Sequence, residues 1–466
     1  LNAEYVQSIH SFFNNSVDLE VKECEVAGVS AFLCYYSTLI NTEMADKHLE
    51  LLEKRAVSGS DQWGNSATSS AEAFNQEKLA AQVCMGNLIV IFPDTNMMLA
   101  IQANNAPKRS PEEPENESVV RGPHEGFIEN IAANVGMVRK RLQRKDLVME
   151  SFHQEKTFAN IHLLYLSDAI DSDVLTEIQR RIREIPYTEF YSVGQIEDYV
   201  EDNVYTPFPL YINTERPDRV TYNLLEGKVA IFIESSPTTL IGPANFYAFY
   251  ESPDDYNSRI IVGSFYRMVR VVAFFTAILL PAFYISVLSF HSEILPLELA
   301  KTVKLAVNDI PYRPLFEAIV LELFIELIRE ASIRLPQRIG QTVGIVGGII
   351  IGDAIVSAGL ASSLMVIVVA MTAIASYVIP SVEMNMAVRL IRFPFMILGA
   401  LLGFLGMVIG TLFLFIHLLN LTSLGQPYLS PITPFDPSRF KDVFFRVPYF
   451  RPDKQQKTFT SEGNRK

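Results

Sequence analysis

The chain lacks most of the features that mark an enzyme, a secreted protein or a nucleic-acid binder. Cysteine occurs only at Cys24, Cys34 and Cys84. The number is odd, the spacing is neither CxxC nor a zinc pattern, and all three lie in the charged first half. Reduced thiols in a reducing compartment are therefore expected rather than a disulfide framework. His10, His48, His124, His153, His162, His291 and His417 form no HExxH or other ligand cluster, and no GxSxG appears. No metal, cofactor or catalytic residue is expected, and the chain does not read as an enzyme. A basic excess is missing as well. The net charge of -13 argues against a general nucleic-acid binder. The stretch LNAEYVQSIHSFF has no basic n-region and no long apolar segment, so no signal peptide is expected. The single tryptophan, Trp63, sits in SGSDQWGNSATSS, which reads as a surface loop.

What is present divides the chain in two. Its 466 residues allow two or three domains. The first part is mixed and charged, and from Met268 long apolar runs appear with few charges. In the polar part, VSAFLCYYSTLI reads as a buried strand and ADKHLELLEKRA as a helix. GNLIVIFPDTNMMLAIQ (86–102) and GKVAIFIESSPTTLIGP (227–243) both read as hairpins opened by a glycine. Each follows a strand–helix unit. In the second copy this is ANIHLLYLSDAI and then DSDVLTEIQRRIREI, whose Asp-Ser-Asp supplies caps and favourable first-turn charge. Two α/β subdomains of similar plan, 1–116 and 117–260, follow as a distant duplication. The boundary falls at PKRSPEEPEN.

Just after that boundary, ESVVRGPHEG packs two acids, an arginine and a Gly-Pro pair into ten residues. Pro123 suits the first position of a helix, with Glu125 in its first turn, and Gly122 frees the backbone before it. The pattern runs on to Arg139, Lys140, Arg141, Arg144 and Lys145, the sign a helix C-terminus prefers. Arg121 is placed to fork onto Glu117, Glu125 or the second subdomain. The corner reads as a joint between subdomains, with a ligand or partner contact as the alternative.

Four runs meet the length of about 20 apolar residues that a bilayer requires. They are Met268–Phe290 with Pro281 as a kink, Ile339–Leu360, Ser363–Pro380 and Pro394–Asn420. A helical transmembrane domain over 261–420 is expected, followed by a polar tail over 421–466. Gly340, Gly344, Gly348 and Gly352 share one helix face, and Gly399, Gly403, Gly406 and Gly410 have a similar effect in the last run. Such faces pack tightly against partners within the chain or between copies. Between the first two runs, PLFEAIVLELFIELIREASIRLP places Glu322, Glu326, Arg329 and Glu330 on one stripe of a helix, with Glu317 off it. Either the helix lies in the interface, or the stripe faces an aqueous path, where a ring of copies would favour cations. Asp353, inside the second run, is an ion-path candidate or a contact to helix N–H groups at the boundary. Arg259, Arg267 and Arg270 put the polar half in the cytoplasm, and the tail arginines put the other end there too. Four spans satisfy both. A fifth, should the acidic helix cross, would instead relieve Arg389 and Arg392 of lying outside.

In order along the chain, ESVVRGPHEGF, TERPDRV, ESPDDY, IGQTVGIVGGIIIGDAIVSAGL and GQPYLSPITP resemble the A subunit of the GerA-type nutrient germinant receptor of endospore-forming bacteria. The resemblance runs from about residue 29 to about 450. It implies a protein of the spore inner membrane that works with a transporter-like B subunit and a lipoprotein C subunit. It also implies a ring of copies, a pentamer, forming a nutrient-gated channel that releases monovalent cations to start germination. A family paralogue acting as a scaffold or accessory channel is one alternative. A secondary transporter is another, but the spans show no inverted repeat of broken helices.

Overall fold

The structure is a computed structural model. It describes residues 2–26, 28–40, 69–102, 122–152, 160–185, 193–298, 310–336, 347–350 and 352–436, with isolated positions between them that include 114 and 117. Arg121, Gly340 and Gly344, the Trp63 loop and the tail beyond 436 lie outside the described residues, as does most of the helix expected in ADKHLELLEKRA.

The first lobe runs α1 (Asn2–Phe12), β1 (Leu19–Val26), β2 (Val29–Tyr36), β3 (Ser69–Ala73), α2 (Gln76–Cys84), β4 (Asn87–Phe92) and β5 (Met97–Gln102). Its strands pair antiparallel in the order β1-β2-β4-β5-β3. The second lobe runs α3 (Ile131–Arg141), β6 (Leu147–Phe152), β7 (Ile161–Leu166), α4 (Ser172–Glu184), α5 (Val193–Val200), β8 (Ile212–Thr214), α6 (Pro217–Leu225), β9 (Val229–Ile233) and β10 (Thr239–Gly242). Its order, β6-β7-β9-β10-β8, repeats the first. The two hairpins are β4–β5 and β9–β10. Gly86 and Gly227 occupy the same place in both, each closing a helix and opening a hairpin at φ 82. A left-handed residue ends a helix by satisfying its last carbonyls, and only glycine does so without a Cβ clash. Cys34 and Cys84 are buried in the first lobe, and burial pushes their thiols up to about 12 and about 11. All three cysteines are free.

One local expectation fails. The helix after the Gly-Pro corner begins at Ile131, not at Pro123, and Asn130 caps it by accepting from Ala133 N at 3.0 Å. The backbone before it is already engaged elsewhere. Phe127 N donates to Glu215 O at 2.7 Å, and the Asn134 side chain bonds Ile128 through both its N–H and its carbonyl. Groups tied this way cannot enter a helical ladder.

The lobes meet at Arg139, read from sequence as a complement to the helix dipole. It is 2% exposed. Its guanidinium donates to both Asp18 carboxylate oxygens at 2.6 Å and to Ser16 Oγ at 2.9 Å, and lies 3.8 Å from the Tyr36 ring centroid. Val17 N donates to Met149 O across the same seam at 3.0 Å.

Past the second lobe, a short helix α7 (Pro253–Asn257) leads into α8 (Ile260–Phe290), whose 31 residues span about 46 Å at 1.5 Å each. Then come α9 (Pro314–Arg334), α10 (Ser363–Tyr377), α11 (Val382–Leu402) and α12 (Phe404–Asn420). The run expected as one span from Pro394 to Asn420 is two helices. Gly403, at φ 60, turns the chain, and α12 folds back on α11. Gly406 permits the close return, because a Cβ there would collide with the Leu398 carbonyl. Among the described residues only α8 and α11 are long and apolar enough to cross a bilayer, and α10, α12 and the Gly347–Ser357 helix are apolar but shorter. The expected count of four spans is thus not confirmed, with two clear apolar spans among the described residues. The core of the second lobe continues unbroken into α8, α11 and α12, from Leu164 and Ile231 to Phe274, Ala277 and Phe395, whereas the first lobe has its own core.

Removing one partner of a buried charge pair leaves the other uncompensated. Arg139→Met is expected to weaken the seam by about 3–5 kcal/mol. The readout is faster amide exchange at Val17, whose bond crosses it. Unchanged exchange there would mean the seam is held by other contacts.

Candidate functional site

Three sets of contacts join the second lobe to the helices. The first is centred on Asp255. Ser252 and Asp255 form a capping box at the start of α7, so the carboxylate is fixed one turn before α8 begins. Asp255 is 1% exposed and accepts from Arg270 Nη1 at 2.5 Å and Arg267 Nε at 3.4 Å. Arg270 also donates to Tyr250 O at 3.1 Å. These two arginines, read as orientation signals, are therefore structural ties.

The second set holds the chain after α12. A small hairpin, β11 (Thr422–Ser423) with β12 (Gln426–Pro427), lies against the second lobe. Asp202 accepts from Thr422 Oγ1, Leu424 N and Gly425 N while Arg181 Nη1 donates to it at 2.5 Å. Ser423 Oγ donates to Leu210 O at 2.7 Å, and Tyr428 Oη to Pro209 O at 2.8 Å. The stretch GQPYLSPITP is in this way the strap that returns the last helix to the lobe.

The third set is a polar cleft of about 210 Å³ between β8, α6 and the start of α11, lined by Glu117, Asn213, Thr214, Arg219, Ser381 and Glu383 among others. Glu117 accepts from Arg219 Nη1 at 2.5 Å and Thr214 Oγ1 at 2.6 Å. The Gly-Pro corner is fastened here, but by Arg216. Fully buried, Arg216 donates to the carbonyls of Glu117 at 3.3 Å and Pro123 at 3.2 Å and forks onto Asp218. Gly122, at φ 143, abuts Asn257 of α7. Glu125 is exposed and pairs with Arg141 at 2.5 Å. Glu117, Pro123 and Glu125 thus bond within the second lobe, and Arg139 is the buried charge at the seam between lobes.

Close to the cleft, α5 carries carboxyls in apolar surroundings. Burial, then the negative charges of Glu383, Glu201 and Asp198, pushes Glu197 up to about 9. Burial first pushes Glu201 up to about 7, with Asp198, Glu383 and Asp202 adding to it and a bond to the Leu210 backbone opposing.

The expected ion-path residues separate into two groups. Glu322 and Glu326, expected on a stripe open to water, are paired with α11. Glu322, 1% exposed, meets Arg392 Nη1 at 2.5 Å, and Glu326 meets Arg389 Nη1 at 2.5 Å. Arg392 Nε also donates to Ala277 O of α8 at 2.8 Å. Residues spaced i, i+4 on α9 meet residues spaced i, i+3 on α11, so the two arginines that troubled the span count are neutralised within the bundle. Glu317, off the stripe, is buried and accepts from Ser362 N and Oγ at 2.5 and 2.7 Å. Glu330 is exposed and pairs with Arg334 at 2.5 Å. Asp353 is exposed. Of the glycines, Gly399 sits where a Cβ would come 2.8 Å from Ala282 O of α8, and Gly410 where one would come 2.9 Å from Leu398. Among the described residues, nothing lies within 4 Å of a Cβ position at Gly348 or Gly352, so that face is open to them.

A family model described as Bacillus/Clostridium GerA spore germination protein matches residues 7–458. The chain belongs to this GerA family. An uncharacterized membrane protein of Bacillus subtilis, YfkQ, is 37% identical over 91% of this chain and 81% of its own length. Spore germination protein KA of the same organism is 37% identical over 83% of this chain and 71% of its own. The crystal structure of the N-terminal domain of the A subunit of the Bacillus megaterium germinant receptor GerK3 is 27% identical, with a TM-score of 0.38, over 53% of this chain and 96% of that one.

In this GerA-family chain, sequence reasoning missed Asp202, Arg216, Arg219, Asp255 and Glu383. Two signals were available. TERPDRV and ESPDDY concentrate charge beside a proline that opens a helix, and both place a buried charge at that point. Asp202 and Glu383 carried no local signal, because their partners lie far along the chain.

The raised carboxyls of Glu197 on α5 and Glu201 just after it set a pH response. Each has a folded value above the ordinary 4.5, so its contribution is complete below that value and is lost as pH rises, through about 7 for Glu201 and about 9 for Glu197. The melting temperature of the full chain in detergent is expected to fall between pH 5 and pH 9, and Glu197→Gln to flatten the upper half of that fall. Parallel curves for the two proteins would contradict the assignment.

Proposed function

We propose that this chain is the A-type subunit of a nutrient germinant receptor in the spore inner membrane. In this reading it assembles as a ring of five copies with a transporter-like B subunit and a lipoprotein C subunit. The ring opens a path for monovalent cations when the receptor senses nutrient. The observation that carries the reading, beyond family membership, is the continuous core from the second lobe into α8, α11 and α12. A lobe joined in this way moves the helices when it moves, as a gated assembly requires. The lobes lie on the cytoplasmic side.

The open face at Gly348 and Gly352 supports contact between copies, since small residues let helix backbones approach closely. Asp353, exposed next to that face, is the carboxylate best placed to form a ring of acids around a cation path. Glu330 is a second, weaker candidate because Arg334 already neutralises it. Glu322 and Glu326 act instead as struts between α9 and α11.

The test is early monovalent cation release from dormant spores exposed to a nutrient panel. Asp353→Asn is expected to reduce the flux or change its selectivity at normal protein abundance. Glu322→Gln is expected to lower abundance itself, since it leaves Arg392 buried without its partner at a cost of about 3–5 kcal/mol. Normal flux and selectivity in Asp353→Asn would remove this residue from the path.

A further inference from the structure

An apolar cavity of about 240 Å³ lies where the second lobe, α8, α12 and the strap come together. Its walls are aromatic and aliphatic, with Phe246 and Tyr247 from the lobe, Phe274 from α8, Phe395 from α11, Leu418 from α12 and Ile432 from the strap. It is neither sealed nor uniformly apolar. At one end are Tyr250, Glu251 and Arg267. At the other side Phe275 and Phe415, 40% and 45% exposed, form a rim on the outer surface of the bundle.

Two features separate this cavity from a packing defect. Tyr250 is 7% exposed, and its hydroxyl has no hydrogen-bond partner among the described residues. Buried polar groups are nearly always paired, so an orphan hydroxyl in the wall of a cavity marks a place for a bonding atom from outside the chain. Burial holds this phenol well above its ordinary range, so it remains a neutral donor. Secondly, the charges at that end are already matched. Arg267 and Arg270 face Asp255 and Glu251, which leaves no surplus cation to demand an anionic head.

We propose that this cavity binds one aliphatic chain ending in a neutral oxygen, with the acyl chain of a membrane lipid as the occupant. The acyl chain lies between Phe275 and Phe415 with its ester end toward Tyr250, whose hydroxyl donates to the ester carbonyl. The rim faces outward at Phe275, midway along a helix long enough to cross a bilayer, and this selects lipid over a solute from the water side. Since the walls come from the lobe, three helices and the strap, an occupant there would wedge the junction that joins lobe to helices. The proposal rests on α8 and α11 spanning a membrane.

The experiment uses the full chain reconstituted in phosphatidylglycerol vesicles that contain a phospholipid with a diazirine in its acyl chain. Labelled residues are located by mass spectrometry, and a parallel arm uses a free fatty alcohol bearing the same group. Labelling of Phe274, Tyr247 or Leu418 by the phospholipid is expected. Tyr250→Phe, which keeps the ring, should reduce it by roughly two- to tenfold, the loss of one hydrogen bond. Val271→Trp, which fills the cavity, should abolish it. Labelling by the alcohol alone would assign the same chemistry to a free amphiphile and overturn the lipid as occupant. Labelling of exposed Phe413 without labelling of cavity residues, or equal cavity labelling in both variants, would overturn the site while leaving the membrane reading intact. No labelling anywhere would overturn both.

Discussion

The molecule hangs on one buried carboxylate. Asp255 sits a turn before the first long helix, is held there by its own capping box, and draws two arginines of that helix onto itself. A carboxylate this deeply buried is tolerated only when it is paired, so its position dictates where α8 starts and how that helix is rotated. The aromatic contacts among Phe246, Tyr250 and Phe274 pack around this fixed point. The strap from α12 closes the same junction from the other side through Asp202 and Tyr428.

From this constraint the two lobes acquire different roles. They share strand order and the glycine that opens the second hairpin, as a duplication would leave them. Only the second lobe shares a core with the helices. The first has its own core and meets the second through the Arg139–Asp18 pair, the Val17–Met149 backbone bond and the Asn14–Ser167 and Met149–Ser16 bonds. In a GerA-family protein, this gives a rigid unit of lobe and bundle with a further lobe attached at one seam.

Local chemistry was legible in the sequence, and distant pairing was not. The hairpins at 87–102 and 229–242 and the Asp171 cap on α4 were readable, since each depends on residues close in sequence. So was the family, because several motifs in order are more specific than any one of them. The helix start at Pro123 failed because Asn134 and Glu215 capture the backbone after it, and neither contact is visible locally. The last run is not one helix because Gly403, read as one more packing glycine, takes φ 60 and turns the chain. The acidic stripe of α9 was recognised as a stripe, but its partners Arg389 and Arg392 are more than 60 residues away. The same holds for Arg139 and Asp18, 121 residues apart.

The most direct measurement of the claim that lobe and bundle form one body is hydrogen exchange on the full chain in detergent, comparing wild type with Asp255→Asn. The account predicts that exchange rises together in three places: the turn at 252–258, the first turns of α8, and the strap at 422–429. A rise confined to 252–258, with α8 and the strap unchanged, would show that Asp255 holds only its own turn. The lobe and the helices would then be separate bodies.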